Sequence, residues 1–72
     1  MKKIEKIKIK VNGKFKSISN ICKISDLVKE LRIPLKKVAI ELNQEIIDKK
    51  NINKIILKKN DKIEIDHFIG GG

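Results

Sequence analysis

Lys6-Ile7-Lys8-Ile9-Lys10-Val11-Asn12-Gly13-Lys14-Phe15-Lys16-Ser17-Ile18 is the stretch that decides how this chain begins to fold. Ile7, Ile9 and Val11 alternate with Lys6, Lys8 and Lys10. A period of two places alternate side chains on opposite faces, so the segment from Ile4 to Val11 reads as a half-buried strand. Asn12-Gly13 then supplies two residues that tolerate positive φ, as a tight type I′ hairpin turn requires. Lys14 to Ile18 is the return strand, with Phe15 as its expected core contribution.

Working outward, Ser19 to Ile24 is a connector. Ser25 is a candidate N-cap, because its hydroxyl can accept from a free N–H of the first helical turn. Asp26 follows, where a negative charge favours the helix dipole. From Asp26 to Arg32, Leu27, Val28 and Leu31 form one apolar stripe, and Lys29, Glu30 and Arg32 face water. Pro34 stops the helix, since the residue before a proline is pushed out of the α region. Val38-Ala39-Ile40-Glu41-Leu42 reads as a strand buried on much of both faces. Asn43-Gln44 is turn-like, and Glu45-Ile46-Ile47 pairs back briefly. Asp48 to Asn53 is a polar loop. Ile52, Ile55, Ile56 and Leu57 have no clean period and read as a crossing segment that closes the core. After a second tight turn at Asn60-Asp61, Lys62 to Phe68 alternates again, with Ile63 and Ile65 inward. The order is hairpin, helix, strand, short strand, crossing segment, strand. One amphipathic helix and one mixed sheet can bury each other's apolar faces in a two-layer α+β domain.

Seventy-two residues make one small domain, in which roughly 60 % of the unfolded surface is buried. That leaves no room for a core and a large internal active-site cavity. Cys22 is the only cysteine, which excludes a disulfide framework and paired-cysteine zinc sites. A lone thiol suits a reducing cytoplasm. There is neither a signal-peptide pattern nor an apolar run of membrane-spanning length, so a soluble cytoplasmic protein is expected. The net charge of +9 raises nucleic-acid binding. However, lysine supplies all but one of the 18 basic residues, and Arg32 is the sole arginine. Arginine is the residue suited to bidentate phosphate and base contacts. Only Phe15 and Phe68 could stack on bases. A solvated lysine face, with no nucleic-acid or membrane partner, is the expectation.

His67 is the only histidine, so a histidine metal cluster or a Ser/His/Asp arrangement is hard to build. Cys22 is far from it in sequence and reads as a packed or idle thiol. Glu41, Glu45, Asp48, Asp61, Glu64 and Asp66 are spread among lysines, with no pair marked out for acid/base work. No catalytic residue and no metal ligand set is expected. Chemistry involving this chain would then be done on it by another protein. That directs attention to Ile69-Gly70-Gly71-Gly72, where three of the four glycines stand. Two readings are open: a frayed terminus, or a thread without side chains that carries a carboxylate into another protein's active site.

Two blocks bear a family resemblance. Asn60-Asp61-Lys62-Ile63-Glu64-Ile65-Asp66-His67-Phe68-Ile69-Gly70-Gly71-Gly72 resembles the C-terminus of the ThiS family of thiamine-biosynthesis sulfur carriers. Val38-Ala39-Ile40-Glu41-Leu42-Asn43-Gln44-Glu45-Ile46-Ile47 resembles that family's middle segment. The resemblance implies a ubiquitin-like β-grasp fold, with a mixed four- to five-stranded sheet on one main helix, over residues 1–69. A flexible glycine tail would occupy 70–72. It also implies that a ThiF-type adenylating enzyme uses ATP and magnesium to adenylate the Gly72 carboxylate, while the chain itself binds no cofactor. Sulfur from a donor enzyme's persulfide then makes a thiocarboxylate, which the thiazole synthase ThiG uses for the thiazole of thiamine. By the same resemblance Gly72 is the modified position, Gly70 and Gly71 thread into partner sites, and Phe68 and Ile69 contact partners. The carrier alone is expected to be a monomer and not an enzyme. Asn60 and Gln44 stand where the family has turn glycines, and Asp66 where it has an apolar residue. Alternatives are another β-grasp carrier of the molybdopterin-synthase small-subunit type, a ubiquitin-like modifier, or a basic RNA-binding module. The molybdopterin type approaches its Gly-Gly through a proline-rich segment, whereas His67-Phe68-Ile69 stands here.

Overall fold

A computed structural model of the chain describes residues 3–68. Its elements run β1 (Lys6–Val11), β2 (Lys14–Ser19), α1 (Ile24–Glu30), β3 (Val38–Leu42), β4 (Glu45–Ile46) and β5 (Lys62–His67). Single 3₁₀ turns occupy Leu35–Lys37 and Lys49–Asn51. The five strands form one mixed sheet in the order β2-β1-β5-β3-β4. β1 and β5 are parallel, and every other neighbouring pair is antiparallel. The last strand therefore occupies the middle of the sheet.

The sheet and helix enclose Ile9, Ile18, Ile24, Leu27, Val28, Val38, Ile40, Ile52, Leu57, Ile63 and Ile65. The alternation in β1 and β5 comes out as read: Ile9, Ile63 and Ile65 are buried while Lys8, Glu64 and Asp66 are exposed. β3 has the bounds that its apolar run suggests, but only one face is closed. Val38 and Ile40 are buried, whereas Ala39, Glu41 and Leu42 are half-buried.

Phe15 is not a core residue; it is 71 % exposed. The hairpin register pairs Phe15 with Lys10 and Ile18 with Ile7. Directly paired residues share a face, so Phe15 lies with the lysines and Ile18 fills the core. The ring is flanked by Lys8 Nζ at 5.9 Å and Lys10 Nζ at 5.1 Å from its centroid. Lys16, on the helix side, forms an ion pair with Glu30.

The helix starts and stops earlier than its sequence signals. Its N-cap is Lys23, not Ser25. The crossing segment satisfies the first donors instead: Ile24 N–H donates to Ile55 O and Ser25 N–H to Ile52 O, each at 3.0 Å. Asp26 accepts from the Lys23 N–H at 3.0 Å. At the other end, Arg32 adopts φ 53°, and its N–H and that of Ile33 donate to Lys29 O and Val28 O. This nested pair of bonds closes the helix at Glu30, before Pro34 is reached. Ile24 thereby joins the buried stripe and Leu31 leaves it. The stretch read as a polar loop carries the 3₁₀ turn Lys49–Asn51, with Asp48 Oδ1 accepting from the Lys50 N–H at 2.9 Å. In the crossing segment Ile52 and Leu57 are buried and Ile56 is exposed.

Both tight turns after the helix form without glycine. Asn43 and Gln44 have φ 51° and 72°, and Asn60 has φ 71°. The Asn43 side chain accepts from the Lys62 N–H at 2.9 Å and donates to Asp61 Oδ1 at 3.1 Å. The β3–β4 hairpin is thus tied to the start of β5.

Candidate functional site

β5 leads to the candidate site. Its even-numbered residues face away from the helix, and beyond His67 the backbone N–H of Phe68 donates to Lys37 O at 2.9 Å. The Phe68 side chain is 57 % exposed, with Lys49 Nζ 5.5 Å from its ring centroid. The ring is thus open to solvent at the end of a central strand. His67 is exposed, opposite Val38. Ile69, Gly70, Gly71 and Gly72 lie outside the described residues.

The structure collects three carboxylates that look scattered in the sequence. Glu41 of β3 pairs with Glu64 of β5, and Asp66 projects from the same face one pleat along. Oxygens of all three lie within 4.8 Å of one another. Hydrogen bonding with Asp66, then desolvation and the charges of Asp66 and Glu64, push the Glu41 carboxyl above its ordinary value. Glu41 thus holds a proton more readily than an isolated glutamate. Neither histidine nor cysteine joins this group among the described residues. The alternation already put Glu64 and Asp66 on one face; the missing piece was the register that brings Glu41 beside them. Ile46, paired with Glu41 at the sheet edge, is 77 % exposed.

Cys22 packs partly against the core. Burial, followed by the charges of Asp26 and Glu30, pushes its thiol pKa up. A raised thiol pKa disfavours the thiolate, so Cys22 is a poor nucleophile at neutral pH. Its Sγ lies 3.5 Å from Lys23 O. No helix among the described residues is long and apolar enough to cross a membrane.

A family model described as "ThiS family" matches residues 9–72. The sulfur carrier protein ThiS of Bacillus subtilis is 43 % identical over 49 residues, covering 68 % of this chain and 74 % of that protein. A thiazole synthase of Paramagnetospirillum magneticum is 36 % identical over 66 residues. That match covers 92 % of this chain but 20 % of the relative, so the chain spans about a fifth of the thiazole synthase's length. The crystal structure of the thiamine biosynthesis protein ThiS from Geobacter metallireducens superposes with a TM-score of 0.80 at 26 % identity, covering 92 % of this chain and all of the other. The five-stranded mixed sheet on one helix is accordingly a ubiquitin-like β-grasp, and the chain belongs to the ThiS family.

Proposed function

We propose that this chain is a sulfur carrier in thiamine biosynthesis and that the Gly72 carboxylate carries the sulfur. The observation behind this reading is that β5, held in the middle of the sheet, runs through an exposed Phe68 directly into Ile69-Gly70-Gly71-Gly72. The head presents; the tail reacts. A carboxylate is a poor electrophile until it is activated. In this reading a ThiF-type enzyme binds the β-grasp head and admits the glycines, which have no side chain to clash. A Gly72 carboxylate oxygen attacks the α-phosphorus of ATP and pyrophosphate leaves. Magnesium and ATP belong to that enzyme. The terminal sulfur of a donor's cysteine persulfide then attacks the acyl carbon and AMP leaves. A thiol cleaves the remaining S–S bond, releasing the thiocarboxylate.

ThiG is the proposed consumer, taking the sulfur into the thiazole of thiamine. Support comes from the thiazole synthases that contain a stretch similar to this chain. Phe68 and Ile69 contact the partners, and Gly70 and Gly71 pass through their narrow sites. The head supplies affinity away from the reacting carboxylate. The work is done in the cytoplasm, by a carrier that catalyses nothing itself.

Intact-mass measurement tests the reading. The chain, ending at Gly72, is incubated with the adenylating enzyme of the same genome, ATP and a persulfide donor. The expected product has one oxygen replaced by sulfur. An unchanged mass, or an equal change in a variant lacking Gly71 and Gly72, refutes the reading.

A further inference from the structure

The hairpin turn has a second task that its sequence does not announce. β1 pairs with β5 only at Lys10–Lys62 and Val11–Ile63, because the chain then turns back at Asn12-Gly13. The Asn12 N–H still donates to Ile63 O at 2.9 Å. The next groups on that edge of β5 belong to Ile65, and no strand is left to meet them. The Asn12 side chain does so instead. Its Oδ1 accepts from the Ile65 N–H at 2.7 Å, and its Nδ2 donates to Ile65 O at 3.3 Å. A carboxamide carries the same donor and acceptor as a peptide group, so one side chain extends the ladder by a residue.

The turn itself does not require this. Asn12 has φ 50° and Gly13 φ 81°, values that glycine meets at both positions. The carboxamide is needed for β5, where it braces the last pleat before His67 and Phe68 on the edge opposite β3.

We propose that Asn12 is a positioning residue for the C-terminal end of β5, and through it for the tail. This rests on the carrier reading. An enzyme that must receive a tail from a head bound elsewhere gains from a fixed departure point, since a frayed strand end must be ordered on binding.

Asn12→Gly keeps the positive φ and deletes the carboxamide. Asn12→Asp keeps an acceptor for the Ile65 N–H and loses the donor to Ile65 O. Asn43→Gly is the control: it also suits its positive φ, but it releases Lys62, at the far end of β5. Amide exchange by NMR and adenylation kinetics with the enzyme of the same genome are measured on the full chain. In Asn12→Gly, exchange at Ile65 is expected to quicken about tenfold relative to Ile9, as expected for two lost hydrogen bonds. Asn12→Asp quickens it less. KM is expected to rise about threefold to tenfold in Asn12→Gly with kcat little changed, and to stay near normal in Asn43→Gly. Unchanged Ile65 exchange, or an equal rise of KM in Asn43→Gly, overturns the proposal. If the unaltered chain is not adenylated at all, the carrier reading fails, and the exchange measurement alone decides whether Asn12 braces β5.

Discussion

The two faces of the sheet are built from the same strands and do opposite work. Toward the helix stand Ile9, Ile18, Val38, Ile40, Ile63 and Ile65, all buried and all aliphatic. Away from it stand Lys8, Lys10, Phe15, Glu41, Ile46, Glu64 and Asp66, exposed or half-exposed. Neither phenylalanine is in the core. Stability is concentrated on one side, and the other side is left open to interactions. Within β5 the division falls residue by residue: Ile63 and Ile65 are buried, Glu64 and Asp66 exposed.

Replacing a buried inner residue should have the largest effect. Ile40→Ala removes an enclosed side chain and should cost about 2–5 kcal/mol. At this chain length each kcal/mol lowers Tm by about 4–8 °C, which calorimetry would show. Phe15→Ala removes a larger side chain from the outer face, yet urea unfolding should show a loss within about 1 kcal/mol. Equal losses at the two sites would break the comparison between faces.

A smaller effect is expected where the backbone is strained. Gln44 takes φ 72° without being glycine. Gln44→Gly should raise stability by about 1 kcal/mol in urea unfolding, since the left-handed conformation costs an L-residue about that much. A loss instead would show that the Gln44 side chain contributes something that the β3–β4 hairpin needs.

The smallest effect sharpens the outer face itself. The Glu41 pKa is raised above its usual 4.5 by its carboxylate neighbours. An acid whose folded pKa is raised stabilises the fold while protonated. That contribution is full below the unfolded pKa and is lost as pH rises through the folded one. Glu41→Gln should therefore flatten the stability profile from about pH 4 upward, gaining most on the unaltered protein near neutral pH. Urea midpoints across that range check it; parallel profiles would mean that the neighbouring Asp66 and Glu64 do not raise the Glu41 pKa.

How far the sequence carried depends on the distance over which each feature is decided. Strand alternation, the Asn12-Gly13 hairpin and the bounds of β3 were legible because they repeat a local rule within a few residues. The same held for the terminal block shared with the ThiS family. The helix boundaries were not, because the donors that Ser25 was expected to satisfy are met by Ile52 and Ile55, far along the chain. The side of the sheet taken by Phe15 depended on hairpin register, since a return strand offers two faces and its own period cannot say which is buried. Of the candidate site, Phe68 is an exposed residue at the end of β5, while the tail from Ile69 onward stands on the sequence alone.

What the sequence by itself determined is the alphabet of elements, their order and the glycine end, each encoded by neighbours along the chain. Only the tertiary structure decided that Glu41, Glu64 and Asp66 share one spot and that the Asn12 carboxamide completes the edge of β5. Those contacts join residues 23 to 25 and 53 positions apart. They exist because pairing and register bring distant backbone groups within hydrogen-bonding reach, and no local propensity specifies that.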